Sequence, residues 1–202
     1  DMRTGIGGAI TTIELAPNNA KNVLLIGTGL QCRFQADCLS RLSPDIYQYS
    51  VWGRSLRNAK KACEDLSSKG LDIKPATDLE EGVKKADIII TTTPSTEHIV
   101  RNSWVSASTH ITAIGADSLG KQELDTDLLH RADLLVSDLN SQSLDHGEFQ
   151  SIKETRSALS PIEIGNIFNK TEGGRLSEKS VTIADLTGIA PQDIAITGTV
   201  LL

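Results

Sequence analysis

A glycine turn set between an apolar strand and a helix constrains the fold more than any other feature. Residues 23–26 read Val-Leu-Leu-Ile, Gly27-Thr28-Gly29 follows at once, and a helical pattern begins at residue 30. Gly27 permits the tight turn, and Gly29 lets a pyrophosphate approach the backbone. The following helix directs its free N–H groups toward the phosphates. We therefore predict a dinucleotide-binding turn, whose candidate contacts are Gly27, Thr28, Gly29, Leu30 and Gln31.

The alternative is a purely structural turn. Cys32 stands where the third small residue of the dinucleotide-binding pattern is usually found, so the motif match is imperfect. The order of strand, turn and helix favours dinucleotide binding over this alternative.

Short β-rich runs alternate with helical patterns along most of the chain, which predicts an α/β Rossmann fold with a doubly wound parallel sheet. Several runs are apolar throughout, as expected for strands covered on both faces. A further helix is expected over Gly5–Leu15, and loops with short helices over Asn140–Arg175. The predicted strands are Val23–Ile26, Tyr47–Trp52, Asp87–Thr92, His110–Ile114, Asp133–Ser137 and Val181–Ala184. The predicted helices between them are Gln31–Leu42, Leu56–Ser67, Leu79–Lys85 and Glu123–Arg131.

Composition excludes several classes of protein. With 39% hydrophobic and 23% charged residues, the 202-residue chain is expected to fold rather than remain disordered. A net charge of −6 without a basic cluster argues against nucleic-acid partners. No apolar run approaches the roughly 20 residues of a membrane span. The three cysteines lack metal-site spacing, so we expect free thiols, a cytoplasmic location and no metal site.

The end of the second strand bears on cofactor choice. Enzymes that use NAD usually place a carboxylate there to bind the ribose hydroxyls. This chain has Gly53-Arg54-Ser55 instead, and Arg54 with Ser55 would suit a 2′-phosphate. The sequence thus predicts NAD(P) binding with NADP slightly favoured. Alternatively, Arg54 is a solvated loop cation.

Hydroxyl side chains follow the next long strand. Thr91, Thr92 and Thr93 lie where ligands bind in open α/β sheets, and their hydroxyls would reach a phosphate or a ribose. A polar turn closed by Pro94 is the alternative.

An acid ends the following strand. Asp117 comes after the apolar run to Gly115, and a glycine loop then carries Lys121. A carboxylate at this crevice would accept or return a proton during hydride transfer. Lys121 would pair with a phosphate or with Asp117. Alternatively, Asp117 is only a turn or helix-capping residue.

Taken together, these motifs resemble the ornithine cyclodeaminase/mu-crystallin family, and in detail its ectoine-utilisation cyclodeaminases, which are also similar to an iminosuccinate reductase. The motifs that carry the resemblance are Arg3-Thr4-Gly5, Gly27–Gln31, Thr91–Ser95, Ile114–Asp117, Gly120–Leu124, Asp185–Gly188 and Gln192-Asp193.

The resemblance implies roles for individual residues. Arg3 would hold the substrate carboxylate, and Asp117 would be the catalytic acid/base. Cofactor contacts would come from Thr4, Lys121, Thr187 and Gly188.

It also implies a two-domain enzyme. Residues 1–20 would connect to a substrate and dimerisation domain upstream, 21–188 would form the NAD(P)-binding domain, and 189–202 would return as a helix. The chain opens with Asp1 rather than Met, in line with this expectation. A homodimer through the upstream domain is expected.

Three activities remain open at this stage. A cyclodeaminase oxidises an amino acid at Cα, lets the side-chain amine attack the imine and returns the hydride. A reductase of the alanine dehydrogenase or iminosuccinate reductase type reduces an imine taken from solution. A crystallin-like protein binds NADP without significant turnover.

Overall fold

The computed structural model describes residues 1–46, 48–154 and 160–200. These residues form one eight-stranded parallel sheet with the strand order β3-β2-β1-β4-β5-β8-β6-β7. No helix within these ranges is both long and apolar enough to cross a membrane. The strands are β1 Asn22–Ile26, β2 Gln48–Trp52, β3 Ile73–Pro75, β4 Ile88–Thr91, β5 His110–Ala113, β6 Leu134–Ser137, β7 Ile162–Glu163 and β8 Thr182–Asp185. The α-helices are α1 Met2–Leu15, α2 Leu30–Leu42, α3 Leu56–Ser67, α4 Leu79–Lys85, α5 Thr126–Arg131, α6 Asn140–His146, α7 Ile164–Phe168 and α8 Ala190–Val200.

The predicted Rossmann sheet is confirmed. All six predicted strands are present, with no end shifted by more than one residue; Tyr47, the first residue of the predicted second strand, lies outside the described residues. The sequence analysis missed β3 and β7, because strands of two or three residues are too short to show a periodic pattern.

One predicted helix begins too early. The prediction placed Glu123–Arg131 in a helix, whereas α5 starts at Thr126 behind Asp125, whose side chain accepts the N–H of Asp127. Leu124 instead forms an isolated parallel β-bridge with Val100, and the Glu123 carbonyl accepts the N–H of Val100 at 3.0 Å. A local helix cap at Asp125 and backbone pairing with residue 100 therefore override the helical pattern there.

The core lies on both faces of the sheet. Successive residues of a strand point to opposite faces, so Leu24 and Ile26 pack into one buried cluster while Val23 and Leu25 pack into the other. This explains why the strands read as apolar throughout.

Helix α1 packs closely against both α2 and the sheet. A Cβ at Gly8 would overlap the side chain of Gln35 on α2, so the two helices approach closely. On the sheet side, Thr12 Oγ1 lies 2.7 Å from Thr112 Oγ1, which in turn lies 2.9 Å from Nε2 of the buried His110. Burial lowers the pKa of His110 to about 3, so this histidine is a neutral structural residue.

The polar segment Asn140–Arg175 forms short elements, as predicted. Residues 155–159 of this segment lie outside the described part of the chain. It contains α6, a 3-10 helix over Glu148–Ile152, β7 and α7. The 3-10 helix packs beneath the loop that follows β5, where it supports candidate site residues. In the predicted C-terminal helix 189–202, α8 is observed and residues 201–202 are not described.

Candidate functional site

A cleft of about 720 Å³ opens at the carboxyl ends of β1, β2 and β4. The strand order reverses direction beside β1, and open α/β sheets bind ligands at such a point. Three loops that the sequence analysis selected separately therefore meet at one cleft. Its lining residues are Gly27, Thr28, Gly29, Trp52, Gly53, Arg54, Ser55, Asn58, Thr92, Thr93, Pro94, Ser95, Thr96, Glu97 and Ile99.

The two glycines of the first loop serve different ends. Gly27 has φ +122°, and a Cβ there would overlap Thr92, so the fold itself requires glycine. Gly29 precedes α2 with φ −82°, and a Cβ there would meet no protein atom within 4 Å. The protein does not need a glycine at position 29 for packing, but a ligand lying against the backbone there would. The open side of Gly29 thus fits a pyrophosphate.

Arg33, a partly buried residue of α2, holds the Gly27–Gly29 loop through hydrogen bonds to its carbonyl groups. Arg33 Nη1 donates to the carbonyl oxygens of Thr28 at 2.7 Å and Gly29 at 2.9 Å, and its Nη2 donates to Asp65 at 2.6 Å. The loop carbonyls therefore turn toward Arg33. The sequence analysis missed Arg33, because no local motif links an arginine within a helix to the loop before it.

The second loop carries the residues expected at the ribose. Arg54 is exposed at the cleft, and no carboxylate occupies the end of β2, as the sequence predicted. A Cβ at Gly53 would overlap the Thr28 side chain, which brings the first two loops into contact. The Ser55 hydroxyl caps α3 by accepting the N–H of Asn58 at 3.4 Å.

The three threonines after β4 separate into two groups. Thr92 and Thr93 line the cleft, whereas Thr91 is fully buried and its hydroxyl donates to Glu123 Oε2 at 2.6 Å. The expectation that the Thr91 hydroxyl reaches a ligand therefore conflicts with its placement inside the protein. Alternation along the end of the strand turns that side chain away from the cleft.

Leu30, Gln31 and Thr4 do not line the cleft either. Leu30 is exposed at the start of α2, and Gln31 turns toward α1, where its Nε2 donates to Asp1 at 2.9 Å. The Thr4 carbonyl accepts from Gln35 Nε2 at 2.9 Å.

Asp117 and Lys121 form an ion pair on the loop after β5. Lys121 Nζ lies 2.5 Å from Asp117 Oδ1, and the Asp117 side chain keeps 55% of its surface exposed. Of the two pairings proposed for Lys121, the structure shows the one with Asp117. Neither residue belongs to the lining of the cleft, but β5 lies directly beside β4, so their loop is the neighbour of the Thr92–Thr93 loop.

The turn after β8 brings the remaining predicted residues together. Asp138 accepts from the backbone N–H and the hydroxyl of Thr187 and from the N–H of Gly188 at 2.6 Å. Arg3 reaches this turn from α1 and pairs with Asp193 on α8 at 3.0 Å. Arg3, Thr187 and Gly188 thus lie close together in space, although Arg3 and Thr187 are 184 positions apart in the sequence.

Buried carboxylates beneath these loops were not anticipated. Glu123 and Glu148 are both fully buried, and burial raises the pKa of each. Backbone and hydroxyl donors offset that cost, since Glu148 accepts the N–H of Leu124 at 2.7 Å. Sequence analysis placed Glu123 on a helix, where an acid reads as a solvated residue.

Comparisons with known proteins identify the family and the fold. The sequence profile described as the ornithine cyclodeaminase/mu-crystallin family matches residues 1–201. An alanine dehydrogenase from Archaeoglobus fulgidus is 34% identical over 96% of this chain and 60% of its own length.

Two solved structures share the fold. An archaeal alanine dehydrogenase dimer with bound NAD aligns with a TM-score of 0.91 at 34% identity, covering 98% of this chain and 62% of that one. The iminosuccinate reductase of Paracoccus denitrificans in complex with NAD⁺ aligns with a TM-score of 0.88 at 30% identity, covering 98% and 61%. The chain thus spans about 60% of the length of the relatives it matches. From the whole-chain profile match and these likenesses, the chain belongs to the ornithine cyclodeaminase/mu-crystallin family.

Proposed function

We propose that this chain supplies the dinucleotide site of an NAD(P)-dependent enzyme that moves a hydride to or from the Cα of an amino acid or imine. The observation that carries the proposal is the open side of Gly29 at the 720 Å³ cleft, where a Cβ would meet no protein atom and a ligand would have room to lie against the backbone. The NAD complexes of the two solved relatives support the same reading.

The residues present fit a dinucleotide. The pyrophosphate would lie on Gly27–Gly29 and the first turn of α2, where the helix presents N–H groups that lack intrahelical acceptors. The adenosine ribose would lie beside Gly53 and Arg54, and Thr93 would face the chain of phosphates and riboses. Bound there, the nicotinamide accepts or supplies the hydride.

The chain's own residues would handle the proton and the substrate carboxylate. Asp117 is exposed and pairs with Lys121, which supports a role in which it would accept or return a proton at the substrate nitrogen or carbon. Arg3 would bind the substrate carboxylate as a bidentate partner. In the structure it pairs with Asp193, and we propose that the substrate exchanges with this carboxylate.

We propose that Arg54 would favour NADP over NAD. Arg54 is exposed at the cleft beside the end of β2, where the sequence supplies no acid, an arrangement suited to a 2′-phosphate. Both solved relatives hold NAD, so affinities for the two cofactors must be compared directly.

Titration with NADH and NADPH tests the central proposal. Trp52 lines the cleft, so energy transfer from its indole to the reduced nicotinamide would report binding. We expect saturable binding of at least one cofactor, tighter for NADPH. A folded sample that binds neither would overturn the proposal.

A reductase is the second candidate activity, favoured by the names of the two solved relatives. A cyclodeaminase would release ammonia from a diamino acid with no net change in reduced cofactor, because the hydride returns. A reductase would consume reduced cofactor in proportion to the imine. The crystallin-like reading predicts binding without either reaction, and assays of the full-length protein separate the three outcomes.

The domain organisation remains part of the proposal. An apolar stripe on the outer face of α1 stays exposed, as expected of a helix that joins a further domain; its members are Met2, Ile6, Ile10 and Ile13. We propose a homodimer of two-domain subunits in the cytoplasm, where the free thiols would remain reduced. The 202-residue chain alone should then bind cofactor with little turnover. Full activity of this chain by itself would contradict the two-domain proposal.

A further inference from the structure

The strongest unassigned feature is the carboxylate of Glu123, which joins two loops at the site. Its Oε1 accepts the N–H of Thr93 at 2.6 Å, and its Oε2 accepts the N–H of Gly115 at 2.9 Å and the Thr91 hydroxyl at 2.6 Å. All three partners are donors, and an ionised carboxylate is an acceptor at both oxygens. One side chain therefore links the end of β4 to the end of β5.

The two loops meet where Glu123 holds them. A Cβ at Gly115 would overlap the backbone of Thr93 as well as Glu123 Oε2, so the chains touch with no side chain between them. Thr93 lines the cleft, and Gly115 lies two residues before Asp117. The contact thus joins the cofactor side of the site to the loop that carries the candidate acid/base.

The backbone of Glu123 is itself held in place by the 3-10 helix Glu148–Ile152. The Glu148 carboxylate accepts the N–H of Glu123 at 3.0 Å and that of Leu124 at 2.7 Å. The same 3-10 helix supplies Gln150, whose Oε1 accepts the N–H of Gly120 at 2.8 Å and whose Nε2 donates to the Lys121 carbonyl at 3.0 Å. Hydrogen bonds from Glu148 and from Gln150 therefore fix residues 120–124, the segment that carries Glu123.

A buried carboxylate costs free energy unless every oxygen is used, and an apolar residue would fill the same space without that cost. Packing alone therefore does not account for an acid at position 123. What the carboxylate provides is a fixed separation between two backbone N–H groups on different loops.

We propose that Glu123 is a positioning residue of the dinucleotide site, holding the Thr92–Thr93 loop against the Gly115–Asp117 loop at the separation that cofactor binding requires. This inference rests on the proposed function, because it takes a dinucleotide to bind at the two loops that Glu123 links. Glu123 touches no ligand itself, since its side chain is fully buried.

The test compares Glu123→Gln with a matched control at the opposite, amino ends of the strands. Asp87 Oδ2 likewise accepts three donors, from the N–H groups of Lys21 and Asn22 and from Asn22 Nδ2, at 2.9–3.0 Å. Asp87→Asn therefore removes a similar carboxylate clamp at the amino ends of the strands, away from the cleft.

In Glu123→Gln an amide NH₂ must face one of the backbone N–H groups. We expect the dissociation constant for NADH or NADPH to rise about tenfold, the scale of one lost hydrogen bond to a charged acceptor. Amide hydrogen exchange should speed up at Thr93 and Gly115. Asp87→Asn should speed exchange at Lys21 and Asn22 while leaving cofactor affinity within about twofold.

Three results would contradict the inference. Cofactor affinity of Glu123→Gln within twofold of the wild type would make Glu123 a purely structural residue. Equal losses of affinity in Glu123→Gln and Asp87→Asn would trace the effect to general stability. Unchanged exchange at Thr93 and Gly115 would show that no clamp exists.

These results are distinct from failure of the proposed function. A wild-type protein that binds no dinucleotide overturns both that function and the ligand part of the inference, whereas normal wild-type binding with an unaffected variant overturns the inference alone. If Glu123→Gln does not fold, Thr91→Val removes one donor with little change of shape. It should give a smaller change of the same kind, and unchanged affinity there would count against the clamp.

Discussion

The guanidinium of Arg3 occupies the space beside Gly188 that a side chain at position 188 would need. Gly188 also has φ +85°, in the left-handed region that favours glycine. The first helix and the last turn of the sheet therefore meet at one point, beside the pair Arg3–Asp193.

Gly188→Ala should disturb this point twice. The left-handed conformation costs a residue with a Cβ about 1–2 kcal/mol, and the new methyl group would displace the Arg3 guanidinium. We expect lower stability and a higher KM for the carboxylate substrate in the full-length enzyme. Gly70→Ala is the matched control, because Gly70 has φ +94° with no atom near its Cβ position. An equal rise of KM in both variants would show that the effect does not come from displacement of Arg3, and would argue against a role of Arg3 in substrate binding.

Gly29→Val should abolish dinucleotide binding and leave the fold intact. Its side chain would enter the space assigned to the pyrophosphate, whereas no protein atom lies within 4 Å of the new Cβ. Isothermal titration and thermal unfolding of the same sample would check both halves. Gly173→Val, in an open loop outside the cleft, serves as the control. Normal cofactor binding by Gly29→Val would place the pyrophosphate elsewhere.

Arg54→Asp should move cofactor preference from NADP toward NAD. The change removes a partner for the 2′-phosphate and supplies an acceptor for the ribose hydroxyls. The measurement is the ratio of the dissociation constants for NADPH and NADH. Arg57→Asp places the same charge change on α3 outside the cleft lining and should leave that ratio unchanged. A constant ratio in Arg54→Asp would make Arg54 a solvated loop cation.

Asp117→Asn should lower kcat of the full-length enzyme by about 10²–10⁴-fold, the usual contribution of a general acid or base. Cofactor affinity and Tm should stay near wild-type values, because the amide keeps the shape of the side chain. Asp145→Asn is the matched control, since Asp145 pairs with Lys153 at the same 2.5 Å on the surface. An Asp117→Asn enzyme with normal kcat would reduce Asp117 to a turn residue and favour the crystallin-like reading.

Asp185 should make stability fall as pH rises. Burial, reinforced by the nearby charge of Asp138, raises the pKa of Asp185 from 3.8 to about 7 in the folded protein, although the Ser143 hydroxyl donates to its carboxylate. The folded state therefore binds the proton more tightly than the unfolded state, and the associated stability is full below pH 4 and lost by about pH 7.

Asp185→Asn is neutral at every pH and lacks this dependence. The Tm of the variant minus that of the wild type should increase from pH 4 to pH 8, by several degrees if the effect reaches 1–2 kcal/mol, since about 1 kcal/mol moves Tm by about 2–4 °C at this size. A difference in Tm that stays constant over this range would show that Asp185 does not titrate there.

Local features of the chain could be predicted from the sequence. The strand, glycine turn and helix around Gly27–Gly29 are contiguous, so their spacing alone indicates a dinucleotide turn. The apolar runs and intervening helical patterns likewise determine a parallel sheet, because each βαβ unit is specified by its own segment.

The tertiary structure decided what depends on residues far apart in the sequence. Whether Thr91 faces ligand or core, and whether Glu123 sits on a helix or clamps two loops, depends on which strands become neighbours. The same holds for Arg3 beside Gly188 and for Arg33 behind its loop. A hydrogen bond is directional and short in range, so its partner is known only once packing has placed both groups. The sequence by itself therefore determined the architecture and the glycine turn, while the sheet and its packed helices decided which side chains support the candidate site.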